Sequence, residues 1–263
     1  MGMKRYQILL VASIAVMLVF TSCGYGLAGG NSSDPYKAAI IDQLHVLEPN
    51  PEVIAKMTEK LESYGFEVDV WRGEEVTVDF YKELPKHGYK LIIFRVHSGI
   101  LLSVEGEKLV PSETTYLFTG ETYNKTRYVS DQLTDKVSNA LMSDKYPLVF
   151  AVNSEFIADD FEGTFDDTVI LSMGCESQYL DDMAAAFIQK GASMYLGWST
   201  VVSLDYVDNA VINLLNKLCT DNMTVEQGIA TTMAEVGTDP YFKAYLKHYP
   251  DVDGSQTIKE LIK

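Results

Sequence analysis

From residue 36 onward the chain alternates short apolar runs with stretches whose apolar residues recur every three or four positions, the spacings of strand and helix. Residues 38–46 form the first apolar run and read as a strand. Asn50-Pro51 then offers an N-cap with proline at the first helical position. Val53, Ile54, Met57, Leu61 and Tyr64 make one helical face, which Gly65 stops. Residues 66–71 alternate like a second strand, 77–84 read as a short helix, and 89–96 as a third strand leading into His97. This β-α-β-α-β order predicts a mostly parallel sheet with helices on both faces and right-handed crossovers.

The pattern changes over residues 100–156, which read as a small β-containing insertion. Residues 101–104, 115–118 and 148–152 are short strands around a polar, partly helical stretch at 123–144. The alternation resumes with a strand at 168–173, a helix at 181–190 ended by Gly191, and a fifth strand at 193–198. Val207, Val211, Leu214, Leu215 and Leu218 share a helical face, and Thr224-Val225-Glu226-Gln227 is a capping box opening another helix. One α/β domain is expected over residues 36–263, with three layers around a mostly parallel sheet.

The first 22 residues read differently. Lys4 and Arg5 precede an apolar run at 8–20, and Thr21-Ser22 are small residues before Cys23, which together make a secretory signal. The small residues before Cys23 resemble the lipobox of prokaryotic lipoproteins, whose cysteine is acylated, so Cys23 is the expected lipidation site. An uncleaved anchor and a plain secreted form are the alternatives. Residues 23–35 have the composition of a flexible tether. The expected location is therefore outside the cytoplasm, on a membrane surface. A formal charge of −16 argues against nucleic acid and anionic lipid surfaces as partners and favours protein, peptide or cationic ligands. With Cys23 acylated, Cys175 and Cys219 remain, too few for a disulfide framework.

Two strand ends carry the candidate chemistry. Ile92-Ile93-Phe94-Arg95-Val96 ends in His97-Ser98-Gly99, and Val169-Ile170-Leu171-Ser172-Met173 ends in Gly174-Cys175-Glu176. If these strands are parallel neighbours, an imidazole and a thiol meet at the carboxyl edge of the sheet, where open α/β folds place their sites. A thiol that attacks a carbonyl needs a base, donors for the oxyanion and a proton for the leaving group. His97 would supply the proton, and the N–H groups of Gly99 and Cys175 are the candidate oxyanion donors. Glu176, directly after the thiol, would by its charge raise the thiol pKa.

An apolar strand ending in His-Ser-Gly, a gap, and a strand ending in Cys are followed by a distinctive run. It comprises the Ala-rich Met183-Ala184-Ala185-Ala186-Phe187, Gly191-Ala192 and the strand end Gly197-Trp198. The whole resembles the caspase-fold cysteine peptidases, and is more similar to the gingipain, clostripain and CHAT branches than to caspases. The Gln-Ala-Cys signature of caspases is absent. The resemblance implies a three-layer fold, a His97/Cys175 dyad, peptide-bond hydrolysis and no essential cofactor. Relatives that cleave after Arg or Lys carry an S1 carboxylate after the fifth strand. Asp205 is the residue expected in that role, beside Trp198 and Ser199, with helix capping near Tyr206 as its alternative.

Asp159, Asp160, Glu162, Asp166 and Asp167 could offer oxygens to calcium, but their spacing is not that of an EF-hand. A solvated acidic loop is the expectation, and no metal site is assigned. Two rival functions remain. Gly197-Trp198-Ser199 resembles a nucleophile elbow, with Asp205 or Asp208 and His248 following as a serine-hydrolase triad, although the second glycine is missing. Alternatively, the domain binds a peptide or protein partner and cuts nothing, a reading that Glu176 favours.

Overall fold

In the computed structural model of the chain, residues 36–105 and 108–263 are described, with side chains described outside 103–109. The signal at 1–22, the tether at 23–35 and lipidation at Cys23 lie outside the described residues. The domain begins with β1 (Tyr36–Asp42), shorter than its apolar run because Gln43–Val46 tightens into a 3-10 turn. α1 (Pro51–Tyr64) starts as its sequence dictates: the Asn50 side chain accepts the Val53 N–H at 3.2 Å and Pro51 occupies the first turn. It ends at Gly65, whose φ of +113° is a conformation that costs a side chain but not glycine.

β2 (Phe66–Arg72), α2 (Val78–Glu83, capped by Thr77) and β3 (Tyr89–Arg95) complete the first half. The insertion comprises β4 (Ser98–Glu105), β5 (Lys108–Thr122), α3 (Val129–Leu133), β6 (Val137–Ala140) and β7 (Val149–Asn153). The stretch expected to be partly helical thus holds one five-residue helix and also a strand. α4 (Ser154–Asp160), β8 (Thr168–Ser172), α5 (Asp182–Gln189) and β9 (Ala192–Trp198) follow. α6 (Leu204–Leu215), α7 (Val225–Val236, with its Thr224/Gln227 capping box formed), β10 (Leu246–Tyr249) and α8 (Ile258–Leu261) finish the chain.

The central sheet has six strands in the order β10-β9-β8-β3-β1-β2. Its first five strands in chain order are parallel, and β10, which the sequence pattern did not reveal, runs antiparallel along β9. With the insertion set aside, the parallel strands follow the doubly wound order 2-1-3-4-5, whose direction of winding reverses between β1 and β3. The insertion is a separate antiparallel sheet, β4-β5-β7-β6.

The period-two alternation of the strands divides the core. Ala38, Ile40, Leu91, Ile93, Val169 and Leu171 pack beneath α1, α6 and α7. Ala39, Ile41, Ile92, Phe94 and Ile170 pack on the opposite face, against α2, α4, α5 and Leu117, Phe150 and Val152 of the inserted sheet. Burial on both faces explains why these strands read as continuous apolar runs. The architecture is three-layered α/β, with the inserted sheet beside the α2 face.

Candidate active site

β3 and β8 are hydrogen-bonded parallel neighbours, with Phe94 opposite Ser172. His97 and Cys175 each follow by three residues, so the two strands deliver them side by side at the carboxyl edge, next to the reversal of strand order. Tight backbone approach closes this edge. A Cβ on Gly174 would come within 2.1 Å of Ser98 Oγ and 2.8 Å of the Val96 carbonyl, so only glycine fits. The Ser98 hydroxyl donates to the Cys175 carbonyl at 2.6 Å.

His97 is half-buried and its backbone N–H donates to Gln43 Oε1 at 2.9 Å. Its ring lies 5.8 Å from that of Phe118, measured between centroids. Burial first, and then the Arg95 guanidinium, lower its pKa below the ordinary value, so the imidazole is neutral at pH 7.

Arg95 itself is fully buried in a cluster the sequence did not announce. Its Nη1 donates to Asp42 at 2.8 Å, its Nε and Nη2 fork onto Asp208 at 3.0 and 3.1 Å, and Nη2 also reaches the Glu48 carbonyl. Asn50 Nδ2 donates to the same Asp208 carboxylate at 3.0 Å. Burial alone would lower the guanidinium pKa, but the two carboxylates outweigh it and raise it, keeping the group charged. The cluster ties the ends of β1 and β3 to α6.

The Cys175 thiol is half-buried against Val202, donating to its carbonyl at 3.4 Å while the Val202 N–H approaches Sγ at 3.5 Å. Its pKa is raised, chiefly by burial. The Val202 contact works the other way, and the Glu176 and Asp239 charges add to the rise. Thiol and imidazole are therefore both uncharged at neutral pH, and no hydrogen bond joins them among the described residues. Cys219 is also a free thiol, buried in the core and pushed up to about 12 by that burial.

The proposed oxyanion donors differ in availability. The Phe118 N–H donates to the His97 carbonyl, and Gly99 pairs with Tyr116, so the alternation of the ladder turns the Gly99 N–H toward β5. The Cys175 N–H bears on its own Sγ and, among the described residues, donates to no other residue. Glu176 adopts a left-handed φ of +53°, uncommon outside glycine. Its carboxylate reaches back over Gly99 to accept the Ile100 N–H at 3.1 Å.

The remaining candidates scatter. Trp198 is 0% exposed, its ring 5.6 Å from that of Tyr206, so it is a core residue beneath the site. Asp205 is exposed in the first turn of α6, which begins at Leu204, two residues earlier than the capping alternative requires. Ser203 is the N-cap residue. Ser199 Oγ accepts the Tyr245 N–H at 3.1 Å, Asp208 is committed to Arg95, and the His248 ring lies against Gly254 and the Pro250 carbonyl. The structure does not bring Ser199, Asp208 and His248 together.

Four of the five acidic residues ahead of β8 are answered by lysines: Asp159 and Asp160 by Lys136 at 2.9 Å each, Asp166 by Lys90 at 2.8 Å, and Glu162 by Lys86. Among the described residues no group of three or more His, Cys, Asp or Glu could hold a metal ion.

Sequence reasoning missed Asp239. It is fully buried and accepts four hydrogen bonds: from the Ser203 N–H and hydroxyl at 2.8 and 2.5 Å, and from the Tyr241 and Phe242 N–H groups at 2.8 and 2.6 Å. Burial would raise its pKa, but these bonds prevail and lower it. It fixes residue 203 and, through it, the Val202 backbone that touches the thiol. The one available signal was an Asp followed by Pro in a turn-rich stretch, Thr238-Asp239-Pro240.

No protein-family model matches this chain, and no curated protein sequence matches it either. Among the described residues no helix is long and apolar enough to cross a membrane.

Proposed function

We propose that the chain is a caspase-like cysteine peptidase in which Cys175 is the nucleophile and His97 the general acid and base. The observation that carries this reading is the placement of both residues three positions beyond a paired position of adjacent parallel strands. Together with the sheet order, the equal offset puts a thiol and an imidazole where doubly wound folds hold ligands.

In this mechanism the Cys175 Sγ attacks the scissile carbonyl carbon and its proton passes to His97. The oxyanion is met by the Cys175 N–H. Collapse breaks the C–N bond as His97 protonates the departing amine, leaving a thioester. Water, deprotonated by His97, then releases the acid and restores the thiol. Because both groups start neutral, proton transfer accompanies attack instead of preceding it. The signal at residues 1–22 and the small residues before Cys23 further support export of the domain and its attachment to a membrane at Cys23, and the family resemblance supports cleavage after basic residues.

One observation favours the non-catalytic binding module: the surroundings of Cys175 oppose thiolate formation. A fluorogenic peptide panel and iodoacetamide labelling separate the two readings. Turnover that is lost in both Cys175→Ala and His97→Ala supports the peptidase. A folded protein without turnover, whose Cys175 resists labelling at neutral pH, supports the binding module.

A further inference from the structure

β4 is an edge strand of the inserted sheet. Because His97 and Gly99 face β5, the ladder alternation turns the N–H and C=O groups of Ser98 and Ile100 to the open edge. An edge of this kind is a template for another strand. The edge starts at the site, since Ser98 bonds the Cys175 carbonyl.

Beside it runs a groove of about 770 Å³ between the β4–β5 hairpin and the residues after Cys175, floored by Ile100, Leu102, Leu180 and Val201. Leu102 and Tyr179 expose 61% and 56% of their surface there. Two carboxylates, Glu113 and Glu176, line the groove, and among the described side chains no lysine or arginine does. Glu176 is also the group that occupies the edge, its carboxylate on the Ile100 N–H.

We propose that the β4 edge docks an extended peptide bearing a basic side chain, and that Glu176 is its gate. In the free protein the Glu176 carboxylate takes the Ile100 amide. An incoming peptide puts its own carbonyl on that amide, adding a strand to β4, and the released carboxylate meets the basic side chain. Laid along Ile100 and Leu102, the peptide has one end at the thiol, so the dock supplies a substrate to the dyad. This deepens the peptidase reading and rests on it only for the fate of the peptide, not for its binding.

The test uses the full chain carrying Cys175→Ala, so that binding is read without turnover. Two probes are compared, Ac-Ala-Val-Lys-Val-Ala-NH2 and its counterpart with Glu in place of Lys. The Lys peptide is expected to bind at least tenfold tighter than the Glu peptide, and Glu176→Gln is expected to reduce that preference. Ile100→Pro removes the edge amide at a position where an edge strand tolerates proline, and should weaken the Lys peptide about three- to tenfold.

Should Ile100→Pro fail to fold, hydrogen exchange at the Ile100 amide decides. Glu176→Ala should speed its exchange, and saturating Lys peptide should slow it again. An Ile100 amide that the peptide leaves unprotected overturns the dock, as does equal affinity for both peptides or no binding at 1 mM. Binding with these signatures but no cleavage by the unsubstituted protein retains the dock and removes the peptidase. Cleavage that ignores Ile100→Pro and Glu176→Ala does the reverse.

Discussion

The two strand ends differ in the sign of the charge placed beside them. Arg95 stands two residues before His97 and is locked in place by Asp42 and Asp208, so a cation adjoins the imidazole. Glu176 directly follows Cys175, and Asp239 acts on it from the loop before β10, so two anions adjoin the thiol. In each case the neighbour disfavours the charged form of the group it touches. A thiolate–imidazolium pair is thus opposed from both sides, and burial adds to the opposition at each. Opposite charges arrive at the same neutral resting pair. In the proposed peptidase, activation would then come from what a bound peptide brings or displaces.

The largest test is whether the pair works as a catalytic unit at all. Cys175→Ala is expected to lower kcat/KM on a cleaved peptide by about 10⁴-fold or more, and His97→Ala to cost nearly as much. The double variant should be little worse than either, since residues acting in one proton transfer are not additive. Fully additive losses would separate the two residues.

Next in size is the support beneath His97. Arg95→Met leaves two buried carboxylates without their cation and should destabilise the fold by about 3–5 kcal/mol in urea unfolding. Replacing all three members, Arg95→Met with Asp42→Asn and Asp208→Asn, should recover much of that loss. If the single variant unfolds at an unchanged urea midpoint, the cluster is not what ties β1 and β3 to α6.

The counterpart on the thiol side is smaller. Asp239→Asn turns an amide NH2 toward N–H donors that now meet a carboxylate, and should cost about 1–3 kcal/mol. Glu176→Gln should cost less still. It removes one of the two anions beside Sγ, so the iodoacetamide pH profile of Cys175 should move to lower pH, with labelling several-fold faster at pH 7.5. An unmoved profile would leave burial and Asp239 as the sources of the raised thiol pKa.

What the sequence discloses of this arrangement follows the range of the interactions. α1 is legible to the residue because its start and stop, Asn50-Pro51 and Gly65, act locally. The buried parallel strands are legible because burial on both faces writes an apolar run, and His97 and Cys175 stand out as the polar residues that end such runs. β10 escapes because Leu246-Lys247-His248-Tyr249 lies on an edge and carries no apolar run, and β6 because Val137-Ser138-Asn139-Ala140 sits within a polar stretch. The Asp239 bonds to Ser203 and the Arg95 fork to Asp208 join residues far apart in the chain, and no spacing encodes them. Asp205 attracted notice by its position after the fifth strand, yet it is Asp239, deeper in the chain, that meets the residues around the thiol.

The smallest expected effect is on stability, and it bears on both strand ends together. A histidine whose pKa is lowered in the folded state binds fewer protons there than in the unfolded chain, so its contribution to stability falls as pH drops through the ordinary value of about 6.5. A thiol whose pKa is raised binds more protons in the folded state, and its contribution falls as pH climbs through the ordinary value of about 8.5. The neutral pair is therefore most at home between those limits. Urea unfolding at pH 5, 7 and 9 should show the loss between pH 7 and 5 reduced by His97→Asn, and the loss between pH 7 and 9 reduced by Cys175→Ser. Buried tyrosines such as Tyr195, whose pKa is also raised, remain in both proteins and cancel in the comparison. If His97→Asn left the acid limb unchanged while Cys175→Ser flattened the alkaline one, neither burial nor Arg95 would be holding the imidazole below its ordinary pKa, and the symmetry between the two strand ends would be lost.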